Sequence, residues 1–556
     1  MGKSLSSRTL PALFPVPAVV VMGTAFAVIL PFFFLGNPSG HDFEFHVLSW
    51  MEAVAQWKQG IWFPRWAAWA HWTYGEARFL FYPPVSWNLG ALLGALLPWK
   101  MASGVFAWAA LSASGFSMFL LVRTWLERKG AIFAAALYAA NPYYLVIVYW
   151  RSALAELLAG CLLPLLLLFV LRALDDRWRA VVPLGVVVGA AWLINVPSAV
   201  MVTYSLALLC GSVAIQRRRL DMLWYGAAAV GVGVALAGFY LIPAVYEQSW
   251  IRVSDALSQG FRPQDNFLFA HTGDADHDRF NLLISLVGTT QLIVTALALY
   301  FSRRWRQQNR VPWTVLCGWV GASALLLVPV STWLWSLPEL RFVQFPWRWL
   351  LCLNVGFALL ATIAFGSWTR RIVLFVVMLG VVILVWRRVQ PPWWDTAADI
   401  QEMHDFIEDG DGYEGTDEYV PADADPEKIN KSAPKVAVVG RGSANIRILA
   451  WAPEYKRFTA EVPRPEKLKL RLFNYPAWRV EVNGLPISAM SQPKTGEIVV
   501  PLDTGISEVR VRFVRTWDRV VGGWVSVVTV LCLFSWAVYR RRWLRRPTQC
   551  VGRRCA

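Results

Sequence analysis

Twelve apolar runs separated by shorter polar stretches set the pattern of the chain. They cover roughly 15–35, 102–122, 131–150, 153–171, 181–194, 197–214, 222–244, 281–301, 312–330, 349–368, 372–386 and 520–538. Most approach the ~20 residues that cross a bilayer as one helix, and several are shorter. A further run, 85–99, is apolar but short, and Tyr82-Pro83-Pro84 precede it. Between the runs lie polar segments at 37–101, at the turn holding Arg151, at 246–280 and at 331–348. A longer polar region, about 387–518, has room for a domain.

The segment Ser39-Gly40-His41-Asp42-Phe43-Glu44-Phe45-His46 follows the first run. Read as a helix, Phe43, Val47, Trp50, Met51, Val54 and Trp57 form an apolar stripe, with Asp42, His46 and Ser49 on the other side. Such a helix lies in the lipid interface with its polar edge toward water, and Ser39-x-x-Asp42 fits the looser form of a capping box. Two carboxylates one residue apart, flanked by His41 and His46, are what a metal site or a general base needs. The same residues also serve an interfacial helix with a capping acid. The pattern alone leaves both open.

The late polar region has two halves. From Asp395 to Glu427 there are thirteen acids and no Lys or Arg, which reads as a solvated loop. From Lys435 onward, short alternating segments such as Leu468-Lys-Leu-Arg-Leu and Val509-Arg-Val-Arg-Phe, with the turn Val482-Asn483-Gly484, predict a small β-sandwich.

Composition fixes the class. With 556 residues, 56% of them hydrophobic, this is an α-helical polytopic membrane protein. The 32 Trp residues sit largely at the ends of the runs, at headgroup level. The net charge of +16 comes from Arg clusters that alternate with the runs, so it carries topology and argues against nucleic acid as a partner. Keeping 85–99 on the outer face as an interfacial or re-entrant helix puts most clusters in the cytoplasm. Arg387-Arg388 and Arg515/Arg519 then stand outside against the rule. Lys3 and Arg8 precede the first run, an uncleaved anchor, and both termini are expected inside. Of the seven cysteines, Cys550 and Cys555 lie in the tail and the rest within runs, so an exterior domain is expected to fold without disulfides. The expected division is a membrane module at 1–386, an exterior domain at 387–518, and a last span with a basic tail at 519–556.

Ionisable residues are nearly absent from the middle of the runs, where transporters place them. The polar groups collect instead at one membrane face, which suits a substrate with a lipid tail and a polar head. Arg151, five residues before Glu156, is a candidate grip for phosphate, and so is Arg348 in Gln344-Phe345-Pro346-Trp347-Arg348. For a single Arg, snorkelling to headgroups is the commoner role, so the functional reading rests on their convergence. The Asp/His cluster at 271–278 matches neither an EF-hand nor a zinc spacing and reads as a solvated loop.

These features together resemble the GT-C superfamily of membrane glycosyltransferases. More closely, the sequence is similar to a bacterial family of 6-pyruvoyl-tetrahydropterin-synthase-related membrane proteins. The resemblance is carried by His41-Asp42-Phe43-Glu44-Phe45-His46, Phe63-Pro64-Arg65-Trp66, Phe81-Tyr82-Pro83-Pro84, Arg151-Ser-Ala-Leu-Ala-Glu156 and Tyr240-Leu241-Ile242-Pro243 with Glu247. It continues through Gln344 to Arg348, Glu414-Gly-Thr-Asp-Glu418-Tyr-Val-Pro and Tyr475-Pro-Ala-Trp478. It implies a GT-C-like bundle of about twelve spans that moves a sugar from a polyprenyl-phosphate donor to a glycan, lipid or protein acceptor at the outer face of a bacterial inner membrane. Asp42 would be the catalytic carboxylate and Glu44 its partner, the two also holding a divalent cation, Mg or Mn, where one is used. His46, Arg65, Arg151, Glu156, Glu247, Gln344 and Arg348 would line the substrate site. The competing class is a non-enzymatic transporter or scaffold for lipid-linked glycans with a carbohydrate-binding exterior domain.

Overall fold

In the computed structural model, residues 15–389 and 393–544 are described; Lys3, Arg8, Cys550 and Cys555 lie outside them. Apolar runs too long to leave in water become helices, because only a helix satisfies its own backbone in lipid. Among the described residues, eight helices are long and apolar enough to cross a bilayer, or ten if each of two bent pairs is one span. The expected twelve is therefore not reached. The runs at 153–171 and 181–194 fall in one helical stretch of 41 residues, Leu154–Ile194. Arg177, at φ 50°, interrupts it with a 3-10 turn, Arg177–Ala180. The runs at 222–244 and 312–330 are bent by 81° and 98°, and the run at 372–386 lies in the helix Trp368–Val389.

The segment after the first span leaves and rejoins the bundle at one end. The Asn37 amide donates to the carbonyl of Lys100 at 3.1 Å, although sixty-three residues separate them. In between, the helix Phe43–Lys58 packs on a 13-residue helix, Pro84–Leu96, which is not among the span candidates. Their contact is tight at Gly90, where a Cβ would sit 1.9 Å from the Trp50 ring. Pro83 and Pro98 bound the short helix and stop it from lengthening.

The C-terminal strands form two antiparallel sheets. One has the order β3-β6-β10-β9, from Val436–Val438, Glu466–Phe473, Glu497–Leu502 and Met490–Ser491. The other has the order β4-β5-β11-β7-β8, from Asn445–Ala452, Tyr455–Val462, Gly505–Phe513, Trp478–Val482 and Leu485–Ile487. Alternation along β5 and β11 turns Phe458, Ala460, Val509, Val511 and Phe513 inward, as the period of two requires. This core also takes in Trp66, Tyr74 and Ile251 from far earlier in the chain. Trp66 is fully buried beside Tyr475, Trp478 and Phe513, so the sheets are fastened to the helical bundle by its own first polar segment. A separate short pairing of Asn37–Pro38 (β1) with Trp394–Asp395 (β2) ties the start of that polar segment to the chain ahead of the strands.

Candidate functional site

The site is assembled by two stretches of backbone lying against each other. The helix Arg128–Arg151 ends in a π turn, Ile147–Arg151, and the chain reverses at Ser152 with φ 48°. Residues 38–42 pair with that reversal. The amides of Gly40, His41 and Asp42 donate to Ser152 Oγ at 3.1 Å, the Trp150 carbonyl at 3.2 Å and the Arg151 carbonyl at 2.8 Å. Ser152 Oγ in turn donates to the Pro38 carbonyl at 2.8 Å. The approach leaves no room for a side chain at position 40, where a Cβ would meet Arg151 and Ser152 at 2.6 Å.

This clamp sets Asp42 beside Arg151, with Nη2 and Oδ2 3.8 Å apart. Arg151 is 3% exposed and gives its other arm to Glu156 at 2.5 Å. Glu156 also receives Arg348 Nε at 3.1 Å and the Tyr143 hydroxyl at 2.6 Å. Arg348 is delivered by the 3-10 turn Pro346–Trp349 and donates as well to the Gln344 side chain at 3.0 Å and the Val343 carbonyl at 2.8 Å. Phe345 and Trp347 stack at 4.6 Å and lie beneath the two guanidiniums, Arg348 over Phe345 and Arg151 over Trp347, each at 4.6 Å. Glu156 is thus saturated at 1% exposure, whereas Asp42 is 42% exposed and touches Arg151 only at ion-pair distance. The cluster offers a reachable carboxylate next to two buried, aromatic-backed cations.

Asp42, Arg151, Glu156, Gln344 and Arg348, far apart in sequence, therefore meet in one place. The other candidates do not join them by direct bonds. His46 is 2% exposed, ringed by Phe45, Trp50 and Tyr82, and burial pushes its pKa down to about 4. Burial raises the Glu44 carboxyl, and the nearby acids Asp395 and Glu414 add to the effect. Arg65 pairs with Glu454 of the sheets, and Glu247 is taken up by Arg519 at 2.6 Å, with Tyr475 beside it. Both fasten the strands to the bundle.

Asp42 and Glu44 do not fit the donor set of a divalent cation, which asks for several converging oxygens. Glu44 shares its surroundings with Asp395 and Glu414, while Asp42 faces Arg151. Among the described residues no three His, Cys, Asp or Glu converge on a point.

Sequence reasoning missed a second charged cluster, one face away on the helix Phe43–Lys58. Glu52, 0% exposed, accepts from the Tyr413 hydroxyl at 2.5 Å, from Gln56 and from the Ala68 amide. Burial pushes its pKa up to about 7. Glu76 holds Arg78 at 2.5 Å and His71 at 2.9 Å, and Arg78 reaches Ser49 at 2.9 Å and Tyr413 at 3.4 Å. Burial works to raise the Glu76 carboxyl, but Arg78 and His71 overcome it and hold it below its usual range. An acid three turns into an amphipathic helix looks solvated in sequence, and Tyr413 lies 361 residues away.

Fold and site together define a polytopic helical membrane protein with a charged cluster at one end of its bundle. The chain belongs to the 6-pyruvoyl-tetrahydropterin synthase related family of membrane proteins, whose domain matches residues 79–390. No curated protein matches it. Among solved structures it is similar to the archaeal oligosaccharyltransferase AglB from Archaeoglobus fulgidus, in complex with an inhibitory peptide and a dolichol-phosphate. That similarity has 12% identity and a TM-score of 0.40, over 74% of this chain and 57% of that one. The chain thus spans little more than half the length of that relative.

Proposed function

We propose that this protein is a membrane glycosyltransferase that takes a sugar from a polyprenyl-phosphate donor and passes it to an acceptor at the outer membrane face. The reading is carried by one observation: a 42%-exposed Asp42 carboxylate 3.8 Å from Arg151, itself bridged through Glu156 to Arg348. In the proposed reaction Asp42 takes the proton from the acceptor hydroxyl as its oxygen attacks the anomeric carbon. The bond from that carbon to the phosphate oxygen breaks, and the departing polyprenyl phosphate carries the electron pair. Arg151 and Arg348 stabilise the charge growing on that phosphate, held in place beforehand by Glu156, Gln344 and the stacked Phe345 and Trp347. Displacement from the opposite face inverts the anomeric centre.

The test is mass spectrometry of lipid that co-purifies with the protein. Polyprenyl-phosphate species are expected with the native chain and should be depleted in Arg348→Gln, which removes a charged donor and keeps an amide. Equal lipid recovery from both proteins, or recovery of bulk phospholipid alone, would remove the donor assignment.

A further inference from the structure

A cavity opens where the two sheets meet the end of the first bent helix pair. It is a cleft of about 600 Å³, within the ~300–1,000 Å³ range of small-ligand sites. Trp250, at the end of the bent helix pair, forms part of one wall, with Tyr475 and Trp478 around it. Asp423, Asn474, Ser488 and Arg479 add polar groups. Trp250 is half-buried, and its ring meets Tyr475 edge-on at 5.5 Å.

The charge at this edge is unbalanced. Arg479 on β7 and Arg512 on β11 are register partners, directly across from each other, and both are exposed. Like charges in that position repel. Their neighbours show the usual remedy, since Glu508 takes both Arg457 at 3.0 Å and Arg510 at 2.5 Å. Among the described residues Arg479 and Arg512 make no ion pair; Arg512 only overlies the Tyr455 ring at 5.7 Å. Asp423, the acid of the cleft, makes no ion pair either. Arg479 thus lines the cleft and Arg512 faces it from β11, and among the described residues no ion pair neutralises either of them.

We propose that this cleft is a second binding site that takes an acidic oligosaccharide, its carboxylates held by Arg479 and Arg512 and a sugar ring set against Trp250. Asp423, Asn474 and Ser488 offer hydroxyl partners of the kind neutral sugar positions need. An acidic peptide would be expected to pair with the free edge of β8, but that strand is three residues long with Pro486 at its centre, and proline supplies no donor. The site stands on the cleft alone and is independent of the transfer proposed for Asp42.

The test is calorimetric titration of the full chain in phosphatidylcholine nanodiscs with tetragalacturonate, maltotetraose and tetra-aspartate. Tetragalacturonate should bind at least about tenfold more tightly than the other two. The double variant R479E/R512E should weaken it by about tenfold or more, whereas R479K/R512K should stay within about threefold. Asp42→Asn should leave the binding unchanged, which separates failure of this site from failure of the transfer reading. Equal binding of acidic and neutral sugars, tighter binding of tetra-aspartate, or competition by phosphatidylglycerol in the disc would each overturn the proposal. So would unchanged affinity in R479E/R512E with an unchanged melting temperature.

Discussion

Two charged clusters meet the first amphipathic helix, one at its N-cap Asp42 and one at Glu52, and they differ in how completely their charges are satisfied. Around Glu52, Glu76 and Arg78 every charged group is at most 2% exposed and bonded to several partners. Around Arg151 and Arg348 the cations are also buried, but one of their two carboxylates, Asp42, is 42% exposed. A closed buried network specifies packing and costs stability if any member is lost. A network left open at one carboxylate keeps that acceptor free for something that arrives. The comparison separates a fastening from a site, although both are built from the same residue types.

The comparison breaks first, and hardest, at the closed cluster. Glu76→Ala strands Arg78 as an unpaired buried charge and should cost about 3–5 kcal/mol, read as a large fall in melting temperature of the purified protein. An unchanged melt would mean the cluster is not closed. The next effect is on pH dependence. The Glu52 carboxyl binds its proton more tightly folded, at about 7, than at its ordinary 4.5. The resulting stability is complete below about 4.5 and is lost as pH rises through about 7, roughly 3 kcal/mol in all. Glu52→Gln should flatten that part of the profile, and an unaltered slope would assign it elsewhere. Gly40→Ala should cost less, about 1–3 kcal/mol, because its methyl must push the Arg151–Ser152 backbone away from residue 40. It should also weaken lipid recovery, since the clamp that places Asp42 opens. Unchanged lipid recovery in a folded Gly40→Ala protein would show that the clamp does not set the site.

Much of this was legible from the pattern of apolar runs. The helices, the alternating strands after Lys435 and the short helix between Pro83 and Pro98 all follow from run length and period. The number of spans was not, because the bends in Asp221–Leu236 with Gly238–Trp250 and in Arg310–Leu326 with Pro329–Ser336 leave hydropathy unchanged. The meeting of Asp42, Arg151 and Arg348 could be anticipated only jointly, from polar groups returning to one end of the bundle. Arg65 and Glu247 sat in equally suggestive motifs but turned to Glu454 and Arg519, because a motif fixes position along the chain and not direction. The acidic stretch after Asp395 was expected to be solvated. Part of it caps the helix Ala397–Glu408 through Thr396, and Tyr413 runs inward to Glu52.

The smallest effect on stability carries the largest claim. Asp42→Asn preserves shape, keeps the hydrogen bond that the backbone N–H of residue 42 donates to the Arg151 carbonyl, and should shift stability by less than about 0.5 kcal/mol. The measurement is release of polyprenyl phosphate from a polyprenyl-phosphate sugar in membranes holding the native protein or the variant, with melting temperatures taken alongside. The account predicts release reduced by about a hundredfold or more at an unchanged melting temperature. Release at the native rate from a folded Asp42→Asn protein would contradict it.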